Sequence, residues 1–279
     1  MHMEIKNATL AEVEMLLEWA ADEGWNPGIN DARIFYESDP QGFFIGYIGD
    51  KPVAGISYVC YGKEFGFIGL YIVAREYRGQ GYGYQIWQYA LAQRSIRNCG
   101  LDGVLAQQPK YRKSGFHRAY KHIRYKMAPC LLENRNRENL HPVAEVNWSQ
   151  LLDFDRIGFP APRESFLRAW VNNYTTLVYR DHEDIRGFAT IRKCREGYKI
   201  GPLFAENREI AQDLVVGLVN LLPEIGNVYL DIPDSNPEAL LIVEYLKMTP
   251  VFETARMYLH PVNGVDIYQV FGVTTLELG

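Results

Sequence analysis

Apolar and polar positions along the chain follow two periods, and the switches between them outline the elements. "MEIKNA" alternates like a short strand, and "TLAEVEMLLEWAADEG" then sets Leu10, Val13, Leu16 and Leu17 at helical spacing. Thr9 followed by Glu12 fits a capping box at the start of that helix. A short helix is expected around Asp31 to Tyr36. After "DPQG" come three strand-like runs, "FFIGYIG", "KPVAGISYVCYG" and "FGFIGLYIVA", separated by the turn pairs Gly49-Asp50 and Gly62-Lys63. They predict an antiparallel meander. From Tyr82 to Asn98 the residues Ile86, Trp87, Ala90 and Leu91 share one helix face, with Gly100 as the stop. "DGVLAQ" reads as a buried strand, "PKYRKSGF" as a brief helix ended by Gly115, and "HIRYKMAP" as another strand.

Residues 130–140, rich in Asn, Arg and Glu without periodicity, read as a surface linker. Beyond it the same element order returns. "DFDRIGF", the amphipathic "RESFLRAWVNN" and the strands "TTLVYRD", "IRGFATIRKC" and "GYKIGPLFA" come first. The helix "NREIAQDLVVGLVNLL", the strand "NVYLDIP", the helix "NPEALLIVEYL" and closing strands around "FETARMYL" and "VDIYQVFGV" follow. Repeated order with little identity predicts a tandem duplication of one α+β fold, with units at 1–129 and 141–279 and a mainly antiparallel sheet flanked by helices in each.

Composition narrows what such a protein does. Its 279 residues and apolar content suit one large or two ordinary globular domains. A formal charge of -5 argues against a protein built to hold a nucleic-acid backbone or an anionic membrane. The four cysteines stand far apart without a CxxC pair, which suits a reducing cytoplasm. No basic n-region with an apolar h-region opens the chain, and no apolar run approaches the roughly 18 residues of a membrane span. The expectation is a soluble cytoplasmic protein.

The chemistry gathers in "YIVAREYRGQGYGYQIW". Gly79, Gly81 and Gly83 fall between a strand and a helix, where bare backbone N–H groups and the helix dipole make an anion site. Arg78 adds a cation suited to phosphate. No Lys-Ser or Lys-Thr follows, so a Walker loop is excluded, and glycines spaced by two do not match the dinucleotide fingerprint. The pattern that remains is Arg-x-x-Gly-x-Gly at Arg78, Gly81 and Gly83.

This motif, after an apolar strand and before an amphipathic helix, resembles the pyrophosphate signature of the GCN5-related N-acetyltransferases (GNATs), and the element order over residues 3–127 is similar to theirs. The cysteine and histidine spacing leads to no metal being expected, and the resemblance implies acetyl-CoA as co-substrate. Its pyrophosphate would lie on the amides of Gly79, Gln80, Gly81, Tyr82 and Gly83, and its pantetheine along Ile72 and Val73. Arg75 stands where the family often has proline, and Gln107 and Gln108 where it often has asparagine. The second half resembles a degenerate acetyltransferase-like domain of a bacterial subfamily. "KIGPLFAENREIAQDL" has no glycine cluster and no matching arginine, so this copy is expected to shape the substrate cleft or an oligomer such as a homodimer.

Acetyl transfer needs a neutral amine, an oxyanion donor and an acid for the thiolate. The donor is expected as a backbone N–H near Ile72, where the strand splays from its neighbour. Tyr111 in "YRKSGF" resembles the family's thiolate-protonating tyrosine and is expected to be the acid; the alternative is that it packs as one more aromatic. No carboxylate occupies the fourth strand. "ADEGWNPGIND" therefore supplies Glu23 as the candidate base and Trp25, Asn26 and Asp31 as candidate contacts for a cationic amine; the alternative is a solvated helix end beside a core tryptophan. "KYRKSGFHRAYKHIRYK" reads as a solvated strand face or as screening for a CoA phosphate rather than as an RNA site. His117 and His122 within it are expected on the surface, with no metal spacing. The function expected is N-acetyl transfer to a small-molecule amine, and the alternative is a non-catalytic acyl-CoA sensor.

Overall fold

The computed structural model describes residues 2–130, 132 and 138–279. Most of the linker expected at 130–140 lies outside the described residues. The first half runs β1 (Glu4–Asn7), α1 (Leu10–Asp22), α2 (Asp31–Ser38), β2 (Phe43–Ile48), β3 (Lys51–Tyr61), β4 (Phe65–Val73), α3 (Tyr82–Ala92), β5 (Asn98–Val104), α4 (Gln108–Lys113) and β6 (His117–Met127). The capping box forms: Thr9 N–H donates to the Glu12 carboxylate at 2.6 Å, and Glu12 N–H donates to the Thr9 hydroxyl at 3.3 Å. β2, β3 and β4 make the expected meander.

α3 ends at Ala92, short of the expected Asn98. The N–H groups of Arg97 and Asn98 are drawn to the carbonyls of Lys63 and Glu64, so Asn98 opens β5. Gly100 therefore lies inside a strand and stops no helix.

The second half runs β7 (Leu140–Pro142), α5 (Trp148–Gly158), α6 (Glu164–Asn173), β8 (Thr175–Asp181), β9 (Asp184–Lys193), β10 (Tyr198–Ala205), α7 (Arg208–Asn220), β11 (Val228–Pro233), α8 (Pro237–Tyr245), β12 (Thr249–Tyr258) and β13 (Val270–Gly272). The closing strand is shorter than expected, because Ile267–Gln269 wind into a 3-10 turn before it.

All the described strands join one sheet in the order β1-β2-β3-β4-β5-β12-β6-β11-β10-β9-β8-β7, with β13 beside β10. The pattern did not reveal this connection: β12, from the second half, lies between β5 and β6 of the first. β6 in turn pairs with β11. α1, α2 and α6 cover one face of the first half, with Leu16, Phe35 and Trp170 against Phe43 and Phe67. α3 covers the other, with Ile86 and Trp87 against Ile68 and Leu101. α7 and α8 pack on the second half with β10 and β11, while α5 and α6 close its opposite face.

Two local features repeat and support the duplication. In β4, Gly69 and Ile72 face Ser57 and Gly55, so three steps oppose two; in β10, Ile200 and Leu203 face Ile191 and Ala189 in the same way. Each bulged strand has a parallel neighbour that follows it only part of the way, β5 beside β4 and β11 beside β10.

Candidate active site

The parallel pairing of β4 with β5 covers Phe65–Ile68 against Asn98–Leu101 and then stops, although both strands continue. The strands splay from that point. At the bulge Leu70 has φ 45°, a left-handed conformation uncommon in a branched residue, held by β3 on one side. The edge of β4 from Gly69 to Val73 thus has no pairing with β5, as expected around Ile72.

At the end of β4 the chain makes a 3-10 turn, Arg75–Tyr77, and enters α3 through the glycines. Gly79 and Gly81 have φ of 78° and 87°, and a Cβ on either would meet open space. Gly81 is the N-cap of α3 and no side chain caps the helix. Its first amides therefore remain available to an anion. Gly83 is needed for a different reason: a Cβ there would come within 2.7 Å of the Tyr71 hydroxyl and 3.1 Å of Val73 Cγ2. Absence of a side chain lets the helix start close to β4. These positions fit a pyrophosphate on Gly79 to Gly83 and a pantetheine along Ile72 and Val73.

Arg78 faces away from the loop amides. Its Nε donates to the Val73 carbonyl at 2.9 Å and its Nη2 to Glu23 Oε1 at 2.7 Å. Arg75 reaches the same carboxylate at 3.4 Å. The Arg78 hydrogen bond, with Arg75 beside it, holds the Glu23 carboxyl below its usual range, and a carboxylate so held takes up a proton poorly.

The segment from Trp25 to Asp31 is seated on the second half. Asn26, at φ 52°, donates from Nδ2 to the Glu196 carbonyl at 2.9 Å and accepts from Glu196 N–H at 2.8 Å. Arg124 donates to the Trp25 carbonyl at 2.6 Å, and the buried Lys199 ammonium to the Asn26 carbonyl at 2.9 Å. Asp31, expected beside the acceptor, is wholly buried and holds Arg192 at 3.2 Å, the Tyr174 hydroxyl at 2.7 Å and Gly28 N–H at 2.7 Å. Trp25 and Asn26 are thus held against β6, β10 and the turn before β10, and Asp31 anchors their loop.

Tyr111 is buried, and its ring covers Gly103 of β5, on the α3 face just beyond the splay. Trp87 lies 5.5 Å from it and Tyr71 5.4 Å from Trp87, centroid to centroid. Burial pushes the Tyr111 hydroxyl well above its ordinary value, and Tyr71 up to about 12, so both stay protonated.

Comparison with known proteins agrees with this geometry. Residues 10–116 match the family described as "Acetyltransferase (GNAT) family", and residues 151–272 match an "Acetyltransferase (GNAT) domain". The chain belongs to the GNAT superfamily. A curated relative, a holothin acyltransferase from Pseudoalteromonas sp., is 29% identical over 98% of this chain and 94% of its own. The fold is shared with a putative acetyltransferase from Pyrococcus horikoshii, at TM-score 0.85 and 22% identity over 99% and 96% of the two chains. It is also shared with a tandem GNAT protein from the clavulanic acid biosynthesis pathway, at TM-score 0.63 and 15% identity over 94% and 100%.

The two GNAT units differ where it matters for a thioester. In the second, β10 and β11 pair only at Tyr198–Ile200 with Val228–Leu230, and the opening beyond is filled by β13, whose Gly272 and Val270 pair with Leu203 and Phe204. The Asn207 side chain caps α7 by accepting from Ile210 N–H at 3.0 Å. The second unit thus has neither the open splay nor the uncapped helix of the first. Among the described residues, no group of three or more His, Cys, Asp or Glu is arranged to hold a metal, and no helix is long and apolar enough to cross a membrane.

The basic stretch was misplaced by sequence reasoning. β6 is an interior strand, so Arg124 is buried in an ion pair with Asp231 at 2.7 Å, and His122 is 1% exposed, whereas His117 is exposed. The alternation of His122 with Arg124 resembles a solvated face. Only the partner strands β12 and β11 decide otherwise.

Proposed function

We propose that this GNAT chain moves an acetyl group from acetyl-CoA to the amine of a small molecule, by direct attack in a ternary complex in the cytoplasm. The observation that carries the reading is the contrast between the units: one splay is open beside an uncapped, glycine-lined helix start, and the other is closed by the chain's own β13. Acyl transfer is the general chemistry of the family. Bound acetyl-CoA supplies the thioester.

The amides of Gly79 to Gly83 hold the pyrophosphate, and the free edge of β4 receives the pantetheine and offers the developing oxyanion an N–H near Ile72. Tyr111, kept protonated by burial, gives its proton to the departing thiolate, whose own proton affinity rises in the same enclosed site. Trp25 and Asn26 wall the acceptor side. Their loop is held by the second unit, and an acceptor side walled in this way favours a small acceptor over a peptide.

Calorimetric titration with acetyl-CoA, followed by thiol release with a panel of amines that includes holothin, tests the reading. Binding with turnover on at least one amine is expected, and binding without turnover on any would make the chain a sensor. Tyr111→Phe should lower kcat about 100-fold, and an unchanged kcat would remove Tyr111 as the acid.

A further inference from the structure

One polar pair on the acceptor side of the splay remains unused by this mechanism. Asp102 is the first β5 residue past the last pair with β4. Arg256 grips its carboxylate at 2.6 and 3.0 Å and lies over the Phe67 ring, on the sheet face that α1 and α2 cover. Arg124, two residues from His122 on β6, reaches the Trp25 carbonyl of the acceptor loop on that same face. His122 Nδ1 stands 2.9 Å from Asp102 Oδ1. Burial would push the Asp102 carboxyl up, but Arg256 and His122 hold it below its usual range, so it accepts and Nδ1 carries the proton.

Nε2 is then the ring's open acceptor, and among the described residues it is buried with no hydrogen-bond partner. Thr254, directly across on β12, leaves its hydroxyl buried and unpartnered too. Two such atoms on cross-strand partners, with His122 reaching across to Asp102 beside the splay, are costly unless a polar group meets them. Tyr111 covers Gly103 on one face of β5, and Asp102 holds His122 on the other, so the two groups flank consecutive residues of the strand.

We infer that His122, positioned by Asp102, is the base that takes the proton from the attacking amine, directly or through one water. The inference rests on the acyl-transfer reading above. The amine lone pair forms the C–N bond, the C–S bond breaks, the amine proton passes to Nε2, and the thiolate takes the Tyr111 proton. Solvent exchange then restores both groups.

The decisive variant is His122→Gln, which keeps a donor for Asp102. Its kcat should fall about 100-fold or more, with the acetyl-CoA Kd unchanged by calorimetry and activity partly rescued by added imidazole. Wild-type kcat should rise with pH through one ionisation and then level, and the variant should lose that step. The groups facing the imidazole are Asp102 from β5, Asp231 from β11, Thr254 and Arg256 from β12, and Tyr120 and Arg124 from β6 itself. A variant with full kcat and the same profile overturns the inference and leaves acyl transfer standing. Should the variant not fold, the wild type decides with amines of different basicity: a kcat profile that moves with the pKa of the amine overturns His122, and a fixed one supports it. Failure of the wild type to bind acetyl-CoA removes both readings.

Discussion

Gly83 and Gly79 are both glycines of the proposed phosphate loop, yet their substitution should fail in different ways. Alanine at Gly83 would press on the Tyr71 hydroxyl and Val73, which flank the proposed pantetheine path, and would lift the helix start from β4. Alanine at Gly79 meets no atom and is resisted only by its φ of 78°, a strain of about 1 kcal/mol. Gly83→Ala should therefore raise the acetyl-CoA Kd at least tenfold in calorimetry. Gly79→Ala should mainly lower the melting temperature by a few degrees. Equal effects on Kd would mean that the helix tolerates the shift and that close approach at Gly83 is not what places the amides.

At the scale of elements, the loop between α1 and α2 shows how the second unit serves the first. Its geometry depends on Asp31, whose carboxylate meets Arg192 of β9 and Tyr174 out of water. Asp31→Asn leaves the Arg192 charge buried without its counter-ion, a loss of about 3–5 kcal/mol that urea unfolding would measure. A change below 1 kcal/mol would mean that the loop is held instead by its backbone bonds to Lys193 and Arg195 and by Glu196, Arg124 and Lys199. The elements themselves were legible. Thr9 and Glu12 announced a cap, glycine turns announced the meander, and the glycines before Tyr82 announced an exposed helix start. These are local signals, written within a few residues of where they act. The burial of Asp31 and His122 was not legible, because each depends on strands more than a hundred residues away. Neither was the direction of Arg78, since a guanidinium near both a phosphate loop and a glutamate suits either.

For the whole molecule, the place of β12 governs stability. It pairs antiparallel with β5 on one side and β6 on the other, so neither half completes its sheet from its own sequence. The two GNAT units should then unfold together. Tryptophan fluorescence, which samples Trp87 in the first half and Trp170 in the second, should trace the same urea transition as far-ultraviolet circular dichroism. Separated midpoints would show that the units are independent despite the shared strand. Acid gives a second view of the same junction. Burial would raise the Asp231 carboxyl, but Arg124 holds it down at about 2 in the folded protein, below its ordinary 3.8. A lowered folded value contributes stability that is complete above pH about 4 and is lost as pH falls toward 2, roughly 2 kcal/mol in all. Asp231→Asn should flatten that part of the stability curve. It would also leave Arg124 without its carboxylate beneath the proposed acceptor loop, so the same substitution should raise the acceptor KM while the acetyl-CoA Kd, which we assign to amides across the splay, stays where it was.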